Sequence, residues 1–407
     1  MADATTRTIA LRPWFEEKFL LGLTPAAYLK SLLRPADLLV ALIFAIGYPV
    51  IVYRFVYGLG AATNLDQTTP WGLWIGLDML SGVALAAGGY TIATAVHIFG
   101  LKQYEPIVRP ALLTGFLGYL FAVIGLMADL GRPWNLPVPM VISFGTTSVM
   151  FEVAWCVAMY STVLFLECTP AMFEWLGLAK WRERAMKVLL GATVMGTILS
   201  TLHQSSLGAL FLMAPTKLHP LWYSTYLPLM FFISSIVAGL TMVIFESGVS
   251  HRAFKSRVDH RVDLDGLTIG LARAASVVLF AYFFLKLQGL ADSGTWHLLG
   301  TKYGLWFLVE VIGFVLVPCF AFAWAARHGR VRLIRGLAAW TVFGVVLNRL
   351  NVSMFAMNWT APTWYIPSWM EVVTSITIIT TGVMVFRWIV NRMPVLSELP
   401  EYRGTSH

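Results

Sequence analysis

Residues 222–246, WYSTYLPLMFFISSIVAGLTMVIFE, decide the fold. From Trp222 to Phe245 the stretch holds no Asp, Glu, Lys or Arg. A hydrocarbon core of ~30 Å takes about 20 helical residues, so this length and polarity predict a transmembrane helix rather than a helix of a soluble core. The rest of the chain reads the same way. Its 407 residues are 58% hydrophobic and 12% charged, with a mean hydropathy of +0.72, against roughly 25% charged in an average soluble domain. Nine more segments qualify: 37–58, 71–99, 110–129, 148–167, 186–203, 266–288, 303–325, 331–350 and 367–389. The expectation is an all-α polytopic membrane protein of about ten transmembrane helices. Residues 37–389 form its membrane domain, between an N-terminal segment (1–36) and a C-terminal tail (390–407), both cytoplasmic.

The formal net charge of +8 does not indicate nucleic acid, because the basic residues sort by side of the membrane. With the N-terminus inside, only Arg132, Lys217, Lys286, Lys302 and Arg349 of the 29 Lys and Arg fall on the outer side, and Arg54 and Arg273 fall within spans. The remaining 22 (29 − 5 − 2), from Arg7 and Arg12 to Arg392 and Arg403, lie on inner tails and loops. The positive-inside rule then places both termini in the cytoplasm, with attraction to anionic membrane lipids as a by-product. Residues 19–29 are a short apolar run broken by Pro25, unlike a cleavable signal peptide, and predict an interfacial segment. Cys156, Cys168 and Cys319 are scattered without a CxxC pair, so neither disulfides nor a cluster are expected. No metal site is expected either.

Acids and bases inside the spans are costly and mark candidate sites. Asp78 lies within the second span, with Gly82, Ala86 and Gly89 on the same helical face, so a close neighbouring helix is expected there. The fifth span carries Thr193, Thr197, Ser200, Thr201 and Gln204 as a polar stripe and ends at His203, in the stretch LHQSSLGALF (202–211). The threonines read as interhelical hydrogen bonding. His203 and Gln204 either cap that helix and tie down an outer connection over 204–221, or stand at a site shared with Asp129, Arg132, Glu152, His219, Arg349 and Glu371, all at the outer level. Toward the inner side lie His97, Arg109, Glu167, Glu246 and Arg273. An ion pair between Glu246 and Arg273 is one reading and a proton path another; Glu310, in the outer half of the eighth span, lies deeper and is a further candidate. Of the eight histidines (97, 203, 219, 251, 260, 297, 328 and 407), all are placed at membrane edges, in loops or in a tail, so no haem is expected.

PWGLWIGLDMLSGVALAAGGY (70–90), YEPIVRPALL (104–113), DLGRPWNLP (129–137), SVMFEVAWC (148–156), LHQSSLG (202–208), KLHPLW (217–222), VIFES (243–247) and PSWMEV (367–372) resemble, in order and over nearly the whole chain, the NrfD/polysulfide-reductase membrane-subunit family. The resemblance is to its hydrogenase-2-type, haem-free integral membrane subunits in particular. It implies two four-helix bundles, helices 2–5 and 6–9, with helices 1 and 10 flanking. It implies a menaquinone or ubiquinone site near the periplasmic helix ends, no iron–sulfur cluster in this chain, and a periplasmic ferredoxin-like iron–sulfur subunit as partner. A catalytic or multihaem cytochrome subunit completes such a complex in a bacterial or archaeal inner membrane.

Quinone chemistry moves two protons with two electrons, so the ring oxygens need donors and the tail an apolar wall. Asp78 and His203 are the candidate catalytic groups, and Gln204, Ser206 and Trp74 join them as quinone-binding candidates. Glu152, Glu167, Glu246, Arg273 and Glu310 are proton-transfer candidates. Asp129, Arg132, His219 and Arg349 are candidates for partner contact or loop ordering. Two other functions compete: a secondary transporter, for which broken helices in matching halves are not evident, and a passive anchor for a periplasmic enzyme.

Overall fold

The computed structural model describes residues 14–258, 261–362 and 364–402. Arg7, Arg12, Arg403, His260 and His407 lie outside the described residues. Among the described residues the chain is helical and has no strand. Ten helices are long and apolar enough to cross a membrane: α1 Pro35–Tyr57, α2 Trp74–Ile98, α3 Lys102–Asp129, α4 Val149–Leu176, α5 Ala179–Leu212, α6 Leu227–Ala253, α7 Leu264–Ser293, α8 Lys302–Arg327, α9 Val331–Phe355 and α10 Trp369–Val390. The chain is an integral membrane protein. With ten crossings, the segments before α1 and after α10 share one face, the termini face. They also touch: the Arg392 guanidinium donates to the Phe19 carbonyl at 2.9 and 2.6 Å.

α2 packs on α3, α3 on α4, α4 on α5, and α5 back on α2; α6 to α9 contact one another in the same cyclic order. α6 also lies against α2 and α5, while α10 packs on α1 and α3. The neighbour expected along Asp78, Gly82, Ala86 and Gly89 is α3, and glycines set the approach. A Cβ on Gly118 would stand 2.7 Å from the Ala86 Cβ, and one on Gly125 2.5 Å from the Asp78 Cβ. α2 itself is not a regular helix. It has π-helical turns at Trp74–Ser81 and Thr94–Ile98 and a break at Ala86–Ala87. α6 comes closest at that break, where a Cβ on Gly239 would lie 2.7 Å from Ala87 C and Gly88 N.

α5 departs most from its predicted span, running through His203 to Leu212. The cap reading of His203 and Gln204 is therefore overturned, and the predicted 204–221 connection contracts to 213–226. The polar run HQSS ended the predicted span because it is unfavourable in lipid. In the fold α2, α3 and α4 cover it, so the helix continues. The outward faces are apolar: Val277, Phe280 and Phe320 are all exposed, a surface suited to hydrocarbon and not to water.

Candidate functional site

At the end of the bundle opposite the termini, the far face, the first turns of α2 and α10 and the last turn of α3 gather three acids. Asp78 is 6% exposed; its Oδ2 accepts the Ser375 hydroxyl of α10 at 2.5 Å and its Oδ1 is buried without a partner. It lies four residues into α2, about 6 Å at 1.5 Å per residue. Glu371 opens α10 as part of a capping box with Ser368. Its Oε1 also accepts the Asn64 amide at 3.0 Å, its Oε2 accepts the Tyr365 hydroxyl, and its backbone carbonyl accepts the Trp74 indole N–H at 3.1 Å. Burial and the Glu371 carboxylate push the Tyr365 phenol well above its ordinary value. Asp129 has a buried, unpartnered Oδ1. Beside it Arg54 donates to the Ala128 and Leu130 carbonyls, both at 2.5 Å, and so anchors the end of α3. The loop leading into α2 is held by Asp66, whose Oδ1 accepts bonds from Thr68 and Thr69 that lower its pKa to about 2.

A second group lies deeper, among α2 to α5. His203 is fully buried, and neither ring nitrogen has a partner among the described residues. Its ring is 5.6 Å from that of Tyr119, which packs edge-on at 4.7 Å against Tyr160. Gln204 Nε2 donates to the Val83 carbonyl at 3.1 Å. The Tyr160 Oη, Ser200 Oγ and Gln204 Oε1 atoms are likewise buried and unpartnered. Buried polar atoms are rarely left so, and bound water is the usual partner. His203 was expected at the membrane edge beside Asp78. It sits nine residues inside the end of α5, about 14 Å down, and no hydrogen bond joins the two. Ser206, expected to support the same site, instead lies 2.5 Å from Glu152 Oε1 at the α4–α5 contact.

The inner candidates separate as well. Glu167 of α4 accepts the Thr193 hydroxyl of α5 at 2.8 Å. Glu246 accepts the Thr114 hydroxyl at 2.6 Å and forms no ion pair with Arg273. The expected pair fails because Arg273 points outward from α7 and is exposed, while Glu246 faces α3. Glu310 lies on the π-helical turns of α8, 2% exposed. It receives the Trp222 indole at 2.9 Å, Lys286 at 3.3 Å, Asn348 at 2.7 Å and Asn351 at 2.5 Å. Arg349 and Lys286 were assigned to the outer side by position. Both are buried, and Arg349 bonds Ser234 at 2.8 Å and the Phe231 carbonyl, both on α6. His219 lies in the 213–226 connection: its amide donates to the Ala356 carbonyl at 2.8 Å and its Nδ1 accepts the Leu221 amide at 3.2 Å. Burial holds its pKa below the ordinary value. Arg132 is exposed on the far face.

Sequence reasoning gave Arg54, Ser375, Tyr365, Tyr119 and Tyr160 no role. Thr374, Ser375, Thr377 and Thr381 do stand out as hydroxyls within the apolar α10 and were a usable signal. The two tyrosines look like packing residues in any one-dimensional reading.

Residues 61–358 match the protein family described as Polysulphide reductase, NrfD. The chain is 33% identical over 362 residues to the Probable Ni/Fe-hydrogenase 2 b-type cytochrome subunit of Escherichia coli, covering 88% of this chain and 91% of that one. It is 25% identical to the Menaquinone reductase, integral membrane subunit, of Nitratidesulfovibrio vulgaris, over 84% and 87% of the two chains. A further protein of that organism is 50% identical over 92% of this chain and 97% of its own length.

Proposed function

The chain belongs to the NrfD, or polysulphide reductase, family, and from that premise we propose that it is the quinone-reactive membrane subunit of a respiratory redox complex. It exchanges electrons between menaquinone or ubiquinone in the bilayer and a ferredoxin-like iron–sulfur subunit on the far face, which connects to a catalytic or multihaem cytochrome subunit. The relative named for menaquinone reduction supports the substrate class, and the one named for hydrogenase 2 supports a partner of that kind. The far face is then periplasmic, as the sorting of Lys and Arg supports. Exposed Trp134, Trp364, Ile366 and Trp369 rim that face near the ends of α3 and α10, and aromatics of this kind suit a protein interface.

The observation that carries the reading is Asp78: a buried acid with one oxygen aimed by Ser375 and the other unused, near the far end of the bilayer span. The unpartnered Thr374 Oγ1 and Asp129 Oδ1 nearby add polar atoms that fit a ring with two oxygens. A bound quinone supplies the two-electron, two-proton chemistry. Asp78 holds or gives up a proton at its Oδ1, Ser375 fixes the carboxyl, and Trp74, tied to α10 through its indole N–H, walls the site. His203, Gln204, Tyr119 and Tyr160 are positioned to pass protons through the core, with Glu152, Glu167, Glu246 and Glu310 as further exchangeable groups and Arg273 at the termini-side rim. The break in α2 favours a transporter instead, since broken helices serve substrate sites there.

The test is binding of a fluorescent hydroxyquinoline N-oxide to the purified protein. Saturable binding weakened about tenfold or more by Asp78→Asn, the loss of one strong hydrogen bond, and less by Ser375→Ala is the expected outcome. His203→Ala should leave binding intact and slow quinone turnover. Unchanged binding in Asp78→Asn, with helicity preserved, removes the site from α2. No binding to the unmodified protein returns the weight to a passive anchor or a transporter.

A further inference from the structure

A cavity of about 760 Å³ lies in the half of the membrane domain nearer the termini, between α3, α4 and the start of α5, with residues 393–398 of the tail along one side. It is remote from Asp78, on the other side of the bilayer midplane. Leu113, Phe116, Phe165 and Leu189 give it mainly apolar walls, and Phe165, 46% exposed, also faces the lipid. Glu105, Glu167 and Glu398 line it, and of the three only Glu167 is buried. Glu167 is 7% exposed; its Oε1 accepts the Thr193 hydroxyl, and its Oε2 carries no hydrogen bond among the described residues. Charges at the mouth balance rather than accumulate. Lys102 and His97 stand with Glu105, and Arg109 is taken up by Glu174 at 2.9 and 2.8 Å and by Glu398 at 2.8 Å.

We propose that this cavity is a second binding site, for an uncharged isoprenoid quinone or quinol whose ring oxygen bonds to Glu167 and whose tail leaves past Phe165 into the bilayer. The volume lies within the roughly 300–1,000 Å³ of small-molecule pockets, and apolar walls around one convergent polar group are their usual character. A phospholipid fits less well. The mouth offers no net positive field for a phosphate, and acyl chains packed against Glu167 would leave a buried carboxyl oxygen without a partner. The ligand class rests on the quinone reading above, but the site does not depend on Asp78. The proposal concerns binding alone.

The experiment uses the full chain in phosphatidylcholine nanodiscs with a photoreactive naphthoquinone bearing an isoprenoid tail, followed by mapping of labelled peptides. Two labelled regions are expected, one at the far ends of α2 and α10 and one at 112–116 and 165–172. Glu167→Gln should weaken the second about tenfold, the scale of one strong hydrogen bond. Ala171→Trp, which fills the cavity, should abolish it, and both should spare the first. Asp78→Asn should do the reverse. The second site is overturned if the unmodified protein labels only at the far face, or if label at 165–172 is indifferent to both cavity variants. It is also overturned if phosphatidylglycerol displaces that label while excess unlabelled quinone does not, which marks a lipid pocket. Label at 165–172 with none at the far face would instead sink the Asp78 reading and leave this one standing.

Discussion

Glu310→Gln is predicted to be among the most destabilising conservative changes in the chain. The carboxyl is 2% exposed, accepts three N–H groups, and faces Lys286, itself buried, at 3.3 Å. Removing the negative charge strands the ammonium of Lys286 and leaves Arg349, 1% exposed, without a nearby counter-charge. Breaking a buried pair from one side costs about 3–5 kcal/mol, so about 4 kcal/mol is expected here. Lys286→Met should cost less, about 2 kcal/mol, because Glu310 keeps its three neutral donors and the field of Arg349. In the double variant neither charge of the pair remains. Its loss should be about 3 kcal/mol, giving a coupling of about 4 + 2 − 3 = 3 kcal/mol. Unfolding by SDS in bicelles of fixed composition, followed by tryptophan fluorescence, measures all three. A Glu310→Gln protein within about 0.5 kcal/mol of the parent, or single losses that simply add in the double variant, would refute the reasoning.

Three further predictions follow from other parts of the fold. Burial lowers the pKa of His219, so the unfolded loop takes up a proton before the folded one as pH falls through about 6.5. Its contribution is therefore full above that pH and fades below it; the protection factors of the Leu221 and Trp222 amides, corrected for the intrinsic pH dependence of exchange, should fall between pH 7.5 and 5.5, and His219→Asn should remove the dependence. Gly125→Ala places a Cβ 2.5 Å from the Asp78 Cβ, which should cost about 1–3 kcal/mol and weaken N-oxide binding by moving Asp78 from Ser375; unchanged binding contradicts the close α2–α3 approach. Glu174→Gln removes the carboxylate shared by Arg109 and Arg182 at 2.8 and 2.7 Å. Protease cleavage within 393–402 should rise about tenfold, the effect of about 1.4 kcal/mol on a local opening, while α5 stays intact.

The helices were legible because the cost of placing a residue in hydrocarbon depends on that residue and its near neighbours in sequence. The ten apolar runs, the small-residue face that Asp78 shares and the demand that buried acids meet protein all follow from that one-body cost. Where the outcome depends on compensation from another helix, the same logic failed. His203 and Gln204 ended a predicted span because they are polar, yet α5 passes through them since α2, α3 and α4 replace the lipid. Arg349 and Lys286 fall on the outer side by position along their spans, yet both are buried in protein beside Glu310 and its amide donors. Asp78 finds Ser375 across 297 residues, a partnership no local pattern encodes. Length and polarity thus determined which ten of the described helices can cross a membrane. Which buried groups are paired, left open or gathered at a cavity was decided only by how the helices meet, because desolvation is a property of a residue and its relief a property of its neighbours.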